Sequence, residues 1–309
     1  MAALVEIVLP IFGIVTFGYL ATFTRAFDAT AAKGLTAFVF WFAIPLMLFK
    51  SMAGAKLPDA SAATYLLSYY GATAAVMIAG LVLGGPGPFD RRVILGMGSG
   101  YSNTVLLGIP LVLTAVGPEA ALPLFMLIAF HGMIFFTAVT VLIEQSRGDG
   151  ARITQVPKQM LQGLIANPIL IAMATGLAFA FLHWTLPRPL DQMVELIGKA
   201  AAPCALFAMG ASLRAYRIGG ALRPAAIIVA LKLVAHPLLV AALVYLVFDL
   251  PPAWSATAVI CAALPTGINS YLFAVRYQTA EAESATAILL SSVLSLPIVT
   301  LVLWWLRAG

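Results

Sequence analysis

Two stretches of this chain, residues 93–118 and 250–275, carry no charged side chain over a length that could cross a bilayer, yet each is interrupted by residues a helix tolerates badly. The first contains Gly98-Ser99-Gly100-Tyr101-Ser102-Asn103-Thr104-Val105-Leu106-Leu107-Gly108-Ile109-Pro110. The second contains Cys261-Ala262-Ala263-Leu264-Pro265-Thr266-Gly267-Ile268-Asn269. Proline removes a backbone donor and clashes with the preceding turn, and glycine loosens the helix. In hydrocarbon every freed backbone group needs a partner, so such breaks persist only where protein or a water-lined cavity covers them. One interrupted span in each half of a chain points to the binding site of a membrane carrier.

The rest of the chain agrees with a lipid solvent. Of its 309 residues 62% are hydrophobic and 9% charged, whereas soluble domains carry about 25% charged residues. Ten apolar stretches of spanning length follow one another: residues 3–22, 33–52, 63–83, 92–115, 119–143, 161–183, 192–213, 222–247, 253–276 and 283–306. The loops are short, and the longest polar connection, residues 144–158, divides the chain in two. The expected fold is therefore an all-α integral membrane protein of ten transmembrane helices. No basic run precedes the first apolar stretch, so residues 4–22 are expected to be a retained helix and not a cleaved leader. The net charge of +5 is scattered, which argues against nucleic-acid binding. Cys204 and Cys261 lie in apolar runs and suggest neither a disulfide framework nor a metal site.

Positive charge orients the bundle. Eleven Lys and Arg follow the odd-numbered spans: Arg25, Lys33, Arg91, Arg92, Arg147, Arg152, Lys158, Arg214, Arg217, Arg223 and Arg276. Four lie on the other side: Lys50, Lys56, Arg188 and Arg307. The odd loops are thus expected in the cytoplasm and both termini outside, in the plasma (inner) membrane. A repeat is also visible. Pro10, Gly18, Pro45 and Phe49 recur as Pro168, Gly176, Pro203 and Phe207, each 158 residues later. With five spans per half, residues 1–150 and 151–309 must enter the membrane from opposite sides. A five-plus-five inverted repeat offers two similar packings that exchange roles, a basis for alternating access. Spans 4 and 9 would run in opposite directions and cross at their broken centres.

Asn103 and Asn269 are the leading site residues. An amide in hydrocarbon must be hydrogen-bonded, and it can either tie its own unwound segment or face a polar ligand. Asn103 lies close to the centre of its window, Asn269 some six residues past the centre of its own. Pro110 and Pro265, with Gly108, are expected to break the helices. Helix N-termini exposed at a break suit an anion. Ser102, Thr104, Thr266, Gly267 and Ser270 are secondary candidates, with back-bonding to the preceding turn the alternative for the hydroxyls. Lys232 falls near mid-membrane in span 8 with His236 one turn away on the same face. It is expected either to attract an anion or to cap carbonyls at the break. His131 and His183 have no partner by spacing and read as packing or interface residues.

No acidic residue sits at comparable depth, which disfavours a cation antiporter. No pattern of an enzyme, a metal site or a cofactor site is present. Asn103 with Pro110, Pro265 with Asn269, Val8-Leu9-Pro10-Ile11-Phe12 and Phe42-Ala43-Ile44-Pro45-Leu46-Met47-Leu48-Phe49 together resemble the auxin efflux carrier family, which holds the plant PIN proteins and bacterial relatives. The similarity runs the whole length, and the chain is similar to bacterial members. The resemblance implies a scaffold of helices 1, 2, 6 and 7 with a homodimer contact through it, and a mobile transport unit of helices 3–5 and 8–10. It implies a substrate at the crossover, touched by Asn103 and Asn269. The long central loop of many plant members is missing here.

The expected function is a secondary transporter, an efflux carrier of small organic anions or carboxylates. A proton-coupled importer, a membrane anion sensor and a channel-like pore are the alternatives. A sensor would be expected to carry a signalling domain, and a pore to conduct without saturation.

Overall fold

Among the described residues, every stretch that hydropathy marks as a span contains helix. The computed structural model describes residues 2–54, 62–148, 165–216 and 222–308, with residues 158, 162 and 219. Lys56, Arg152 and Arg217, used above to orient the chain, and the boundary between residues 150 and 151 lie outside the described residues.

In chain order the helices are α1 (Ala2–Ala21), α2 (Ala29–Ala53), α3 (Ala62–Leu83), α4 (Phe89–Gly100), α5 (Thr104–Ala115) and α6 (Pro118–Arg147). They continue as α7 (Pro168–Phe181), α8 (Arg188–Leu213), α9 (Leu222–Val247), α10 (Pro252–Ala263), α11 (Asn269–Tyr277) and α12 (Glu281–Ala308). Six of them, α2, α3, α6, α8, α9 and α12, are long and apolar enough to cross a membrane. Shorter apolar helices fill the first, fourth, sixth and ninth expected spans. The fourth is split into α4 and α5, the ninth into α10 and α11. Among the described residues there is no strand, only one isolated antiparallel bridge between Ser102 and Thr266.

Several prolines are accommodated by a widened turn. π-turns at Val39–Ala43, Thr104–Gly108 and Leu231–Ala235 each come just before a helical segment with proline as its second residue, namely Pro45, Pro110 and Pro237. A proline cannot donate to the preceding turn and its ring crowds that turn's carbonyl, so one extra residue there relieves both defects. The apolar exterior is that of a lipid-facing bundle: Leu9, Phe17, Leu196, Leu246 and Val293 are all largely exposed.

Two close packings have the same form. α1 lies along α8, and a Cβ at Gly18 would overlap the carbonyl oxygen of Phe207. α7 lies along α2, and a Cβ at Gly176 would sit 2.5 Å from the carbonyl oxygen of Phe49. Only glycine lets these backbones approach so closely. The two pairs are the residues related by the 158-residue offset, with the roles of glycine and phenylalanine exchanged between halves.

Ion pairs collect at the two ends of the bundle. At one end Arg91 pairs with Glu283 at 3.0 Å, and Arg147 pairs with Asp90 at 2.6 Å and donates to the Tyr277 carbonyl at 2.8 Å. The loops after spans 3, 5 and 9 therefore share that end. At the other, Lys50 reaches Asp191 at 3.0 Å and Glu195 at 2.7 Å, joining α2 to α8.

Candidate functional site

α4 stops at Gly100 because the next residues leave helical geometry: Tyr101 has φ −75° and ψ 114°, and Asn103 has φ −78° and ψ 65°. α10 stops at Ala263, where Leu264 turns extended at φ −64° and ψ 154°. That turn is dictated by Pro265, whose ring disfavours helical geometry in the residue before it. The two extended pieces lie antiparallel. Asn103 donates its backbone N–H to the Pro265 carbonyl at 3.0 Å, and Gly267 donates to the Tyr101 carbonyl at 2.8 Å. Each break thus satisfies backbone groups of the other. Gly267 has to be glycine here, since a Cβ would lie 2.5 Å from Tyr101 Cδ1 and 3.0 Å from the Ser102 carbonyl oxygen.

The remaining backbone groups are closed by side chains from neighbouring helices. Ser102 N–H donates to His131 Nε2 of α6 at 2.9 Å, and Thr266 N–H donates to Ser291 Oγ of α12 at 3.1 Å. The Thr266 hydroxyl donates to the Gly98 carbonyl at 3.0 Å, capping the end of α4. Lys232 Nζ of α9 does the same for α10, donating to the Ala262 carbonyl. The hydroxyls of Ser102 and Tyr69 of α3 lie 3.1 Å apart.

Of the expected site residues, Ser102, Asn103, Pro265 and Gly267 form the crossing itself. Thr104 and Asn269 begin the helices that leave it, α5 and α11. Both helix N-termini, which carry partial positive charge, therefore start at the crossing. The Asn269 side chain donates to the Tyr101 hydroxyl at 2.7 Å, holding the second break to the first. Asn103 is 8% exposed, and among the described residues its side-chain amide makes no hydrogen bond. Ser270 bonds back to the Gly267 carbonyl at 2.9 Å, the alternative weighed for the hydroxyls.

Lys232 is fully buried and touches the site through Ala262 and through His236, whose Nδ1 is 3.3 Å from Nζ. Pro110 is not at the break. It is the second residue of the α-helical turn that starts at Ile109, and the chain opens earlier, at residues 101–103. It belongs with Pro45 and Pro237, behind a π-turn. Gly108 closes that turn by donating to the Asn103 carbonyl at 3.1 Å, and a Cβ there would lie 2.8 Å from Leu264 Cδ1, so it lets the two broken spans approach.

Sequence reasoning missed His131 and Tyr101. His131 is a buried acceptor at the break, its ring 4.5 Å from that of Tyr101. Tyr101 is fixed by the rings of His131, Phe135 and Phe136. The available signal was a histidine and a tyrosine inside apolar spans with no partner on their own helices.

The chain is similar to known proteins along its whole length. It is 29% identical to a protein of Rhizobium meliloti (strain 1021) named "Putative malonate transporter", over 100% of this chain and 98% of that one. It is 25% identical to "Auxin efflux carrier component 8" of Arabidopsis thaliana, over 95% of this chain and 94% of the other. A further match, to the "Lysosomal cholesterol signaling protein" of Mus musculus, is 25% identical over 65% of this chain and 25% of that protein. The model of the family described as membrane transport protein matches residues 3–303, and the chain belongs to that family.

Proposed function

We propose that this membrane transport protein is a secondary carrier of small organic anions, in which a carboxylate sits against the crossing of the two broken spans. The observation that carries the reading is the Asn103 side chain, buried at that crossing with its amide unengaged. An amide there offers two donors and an acceptor. The starts of α5 and α11 add partial positive charge, and among the described residues no carboxylate takes part in the hydrogen bonds of the crossing. Names given to two relatives, for malonate and for auxin, are both those of carboxylates.

The mechanism is alternating access by a five-plus-five inverted repeat of ten helices. The support is the reciprocal packing of Gly18 on Phe207 and Gly176 on Phe49, which two repeats related by a two-fold axis produce. The scaffold of spans 1, 2, 6 and 7 is the pair of packings α1 on α8 and α7 on α2. The crossing belongs to the other spans, and its movement relative to the scaffold would expose the anion to one side and then the other. Export is the favoured direction, since an inside-negative potential contributes about 2.3 kcal/mol per charge per 100 mV to anion exit.

The test is flux of radiolabelled mono- and dicarboxylates, malonate and indole-3-acetate among them, in proteoliposomes of the purified protein. Saturable flux of at least one of them is expected. Binding without flux would move the reading to a sensor, and flux without saturation to a pore.

A further inference from the structure

Lys232 is 0% exposed and, among the described residues, carries no acidic partner. The groups around it are His236 on its own helix, His131 from α6 and Cys261 from α10, while Tyr69 and Thr73 from α3 lie against His236. α4 and α12, also packed on this part of α9, keep their acidic residues in their first turns. There Asp90 and Glu283 are paired with Arg147 and Arg91.

One arrangement of the protons satisfies every donor of this cluster. With the Thr73 hydroxyl donating to the Tyr69 carbonyl at 2.7 Å, it accepts from His236 Nε2, at 2.9 Å. His236 therefore carries its proton on Nε2 and presents a lone pair at Nδ1. That lone pair is the second acceptor for Lys232, at 3.3 Å, beside the Ala262 carbonyl. Two acceptors match the two N–H bonds of an uncharged amine. An ammonium would have a third N–H without a partner and a full charge in hydrocarbon with nothing to balance it.

Resting on the reading of the crossing as an anion site, we propose that Lys232 is a neutral amine while the site is empty and takes up a proton when the anion binds. Each anion then crosses together with a proton. Ala262, the carbonyl that Lys232 holds, is three residues before Pro265, whose carbonyl holds Asn103. An anion at the crossing supplies the counter-charge the ammonium lacks. The step balances simply: the amine lone pair binds H⁺ from water to give –NH₃⁺, and on release the proton and the anion leave on the same side. The empty carrier returns uncharged at this position. A monocarboxylate moves with no net charge and a dicarboxylate with one negative charge, so potential-driven export of a dianion is retained.

The experiment is titration calorimetry of the purified protein with malonate and with indole-3-acetate at pH about 7.5, where carboxylates are ionised. It is done in two buffers of different ionisation heat, which reports protons taken up. About one proton per bound anion is expected. Binding without uptake overturns the proposal and leaves the anion site standing. Failure of both probes to bind rejects the anion site and this proposal with it. Lys232→Arg, permanently charged, should bind with no uptake. Lys232→Met should bind more weakly, by about tenfold or more, also without uptake. Uptake that persists in both variants overturns the assignment to Lys232. The wild-type measurement decides even if neither variant folds.

Discussion

Asn103 gives its backbone N–H to the carbonyl of Pro265 at 3.0 Å, a bond between the two halves of the chain at the point where each half has lost its own helix. A broken span in lipid costs several kcal/mol for each polar backbone group left unpaired. Two breaks that pair with each other avoid most of that cost. Their side chains are then released for another use, and among the described residues the Asn103 amide is one that makes no hydrogen bond.

The two asparagines should therefore behave differently when truncated. Asn269→Ala removes the donor to the buried Tyr101 hydroxyl and should lower stability by about 1–3 kcal/mol. Asn103→Ala removes no side-chain hydrogen bond among the described residues and should change stability by no more than about 0.5 kcal/mol. Both should lose carboxylate uptake. Thermal unfolding in detergent beside flux in proteoliposomes separates the two effects, and equal destabilisation would contradict the assignment.

His131 should be sensitive to shape-preserving loss of its acceptor. His131→Leu leaves the buried Ser102 N–H without a partner, at a cost of about 1–3 kcal/mol. His131→Gln keeps an acceptor and should recover part of it. Melting temperatures of the two variants give the answer, and an unchanged value for His131→Leu would show that the bond is dispensable.

The scaffold makes a symmetric forecast. Gly18→Ala and Gly176→Ala both drive a methyl into a neighbouring backbone carbonyl, so each should cost about 1–3 kcal/mol. Gly13→Ala, on the same helix as Gly18 but with nothing within 4 Å of its Cβ, should be close to neutral. A Gly13 variant as damaging as the Gly18 variant would argue against the close packing.

Orientation can be read from one helix. Glu119 and Gln145 are exposed at opposite ends of α6. With Cys204 and Cys261 replaced by Ala, a membrane-impermeant maleimide added to intact cells should label Glu119→Cys and spare Gln145→Cys. The reverse pattern would invert the topology drawn from the positive charges.

Much of this architecture is legible in the sequence. Lipid demands long apolar helices, and hydropathy marks them directly, so the structure has helix in all ten expected stretches. The breaks are visible because proline, glycine and asparagine have little other reason to cluster in a charge-free span. Their position was less legible. Pro110 attracts attention as a breaker, but its missing N–H is absorbed by the π-turn at Thr104–Gly108, while the chain opens at residues 101–103. The closing partners were hidden for another reason. His131, Ser291 and Tyr69 reach the crossing from other helices, and nothing in local spacing distinguishes a histidine that accepts from Ser102 from one that packs. The 158-residue offset was legible as composition. What it positions, a glycine of each half under a carbonyl of the other, required the packing.

A density map of the protein saturated with malonate or indole-3-acetate bears most directly on the central claim. Two discontinuous helices should cross at Ser102 and Thr266, with the carboxylate within hydrogen-bond reach of the Asn103 amide. A carboxylate bound away from that crossing, or density showing either span running unbroken through the bilayer, would contradict it.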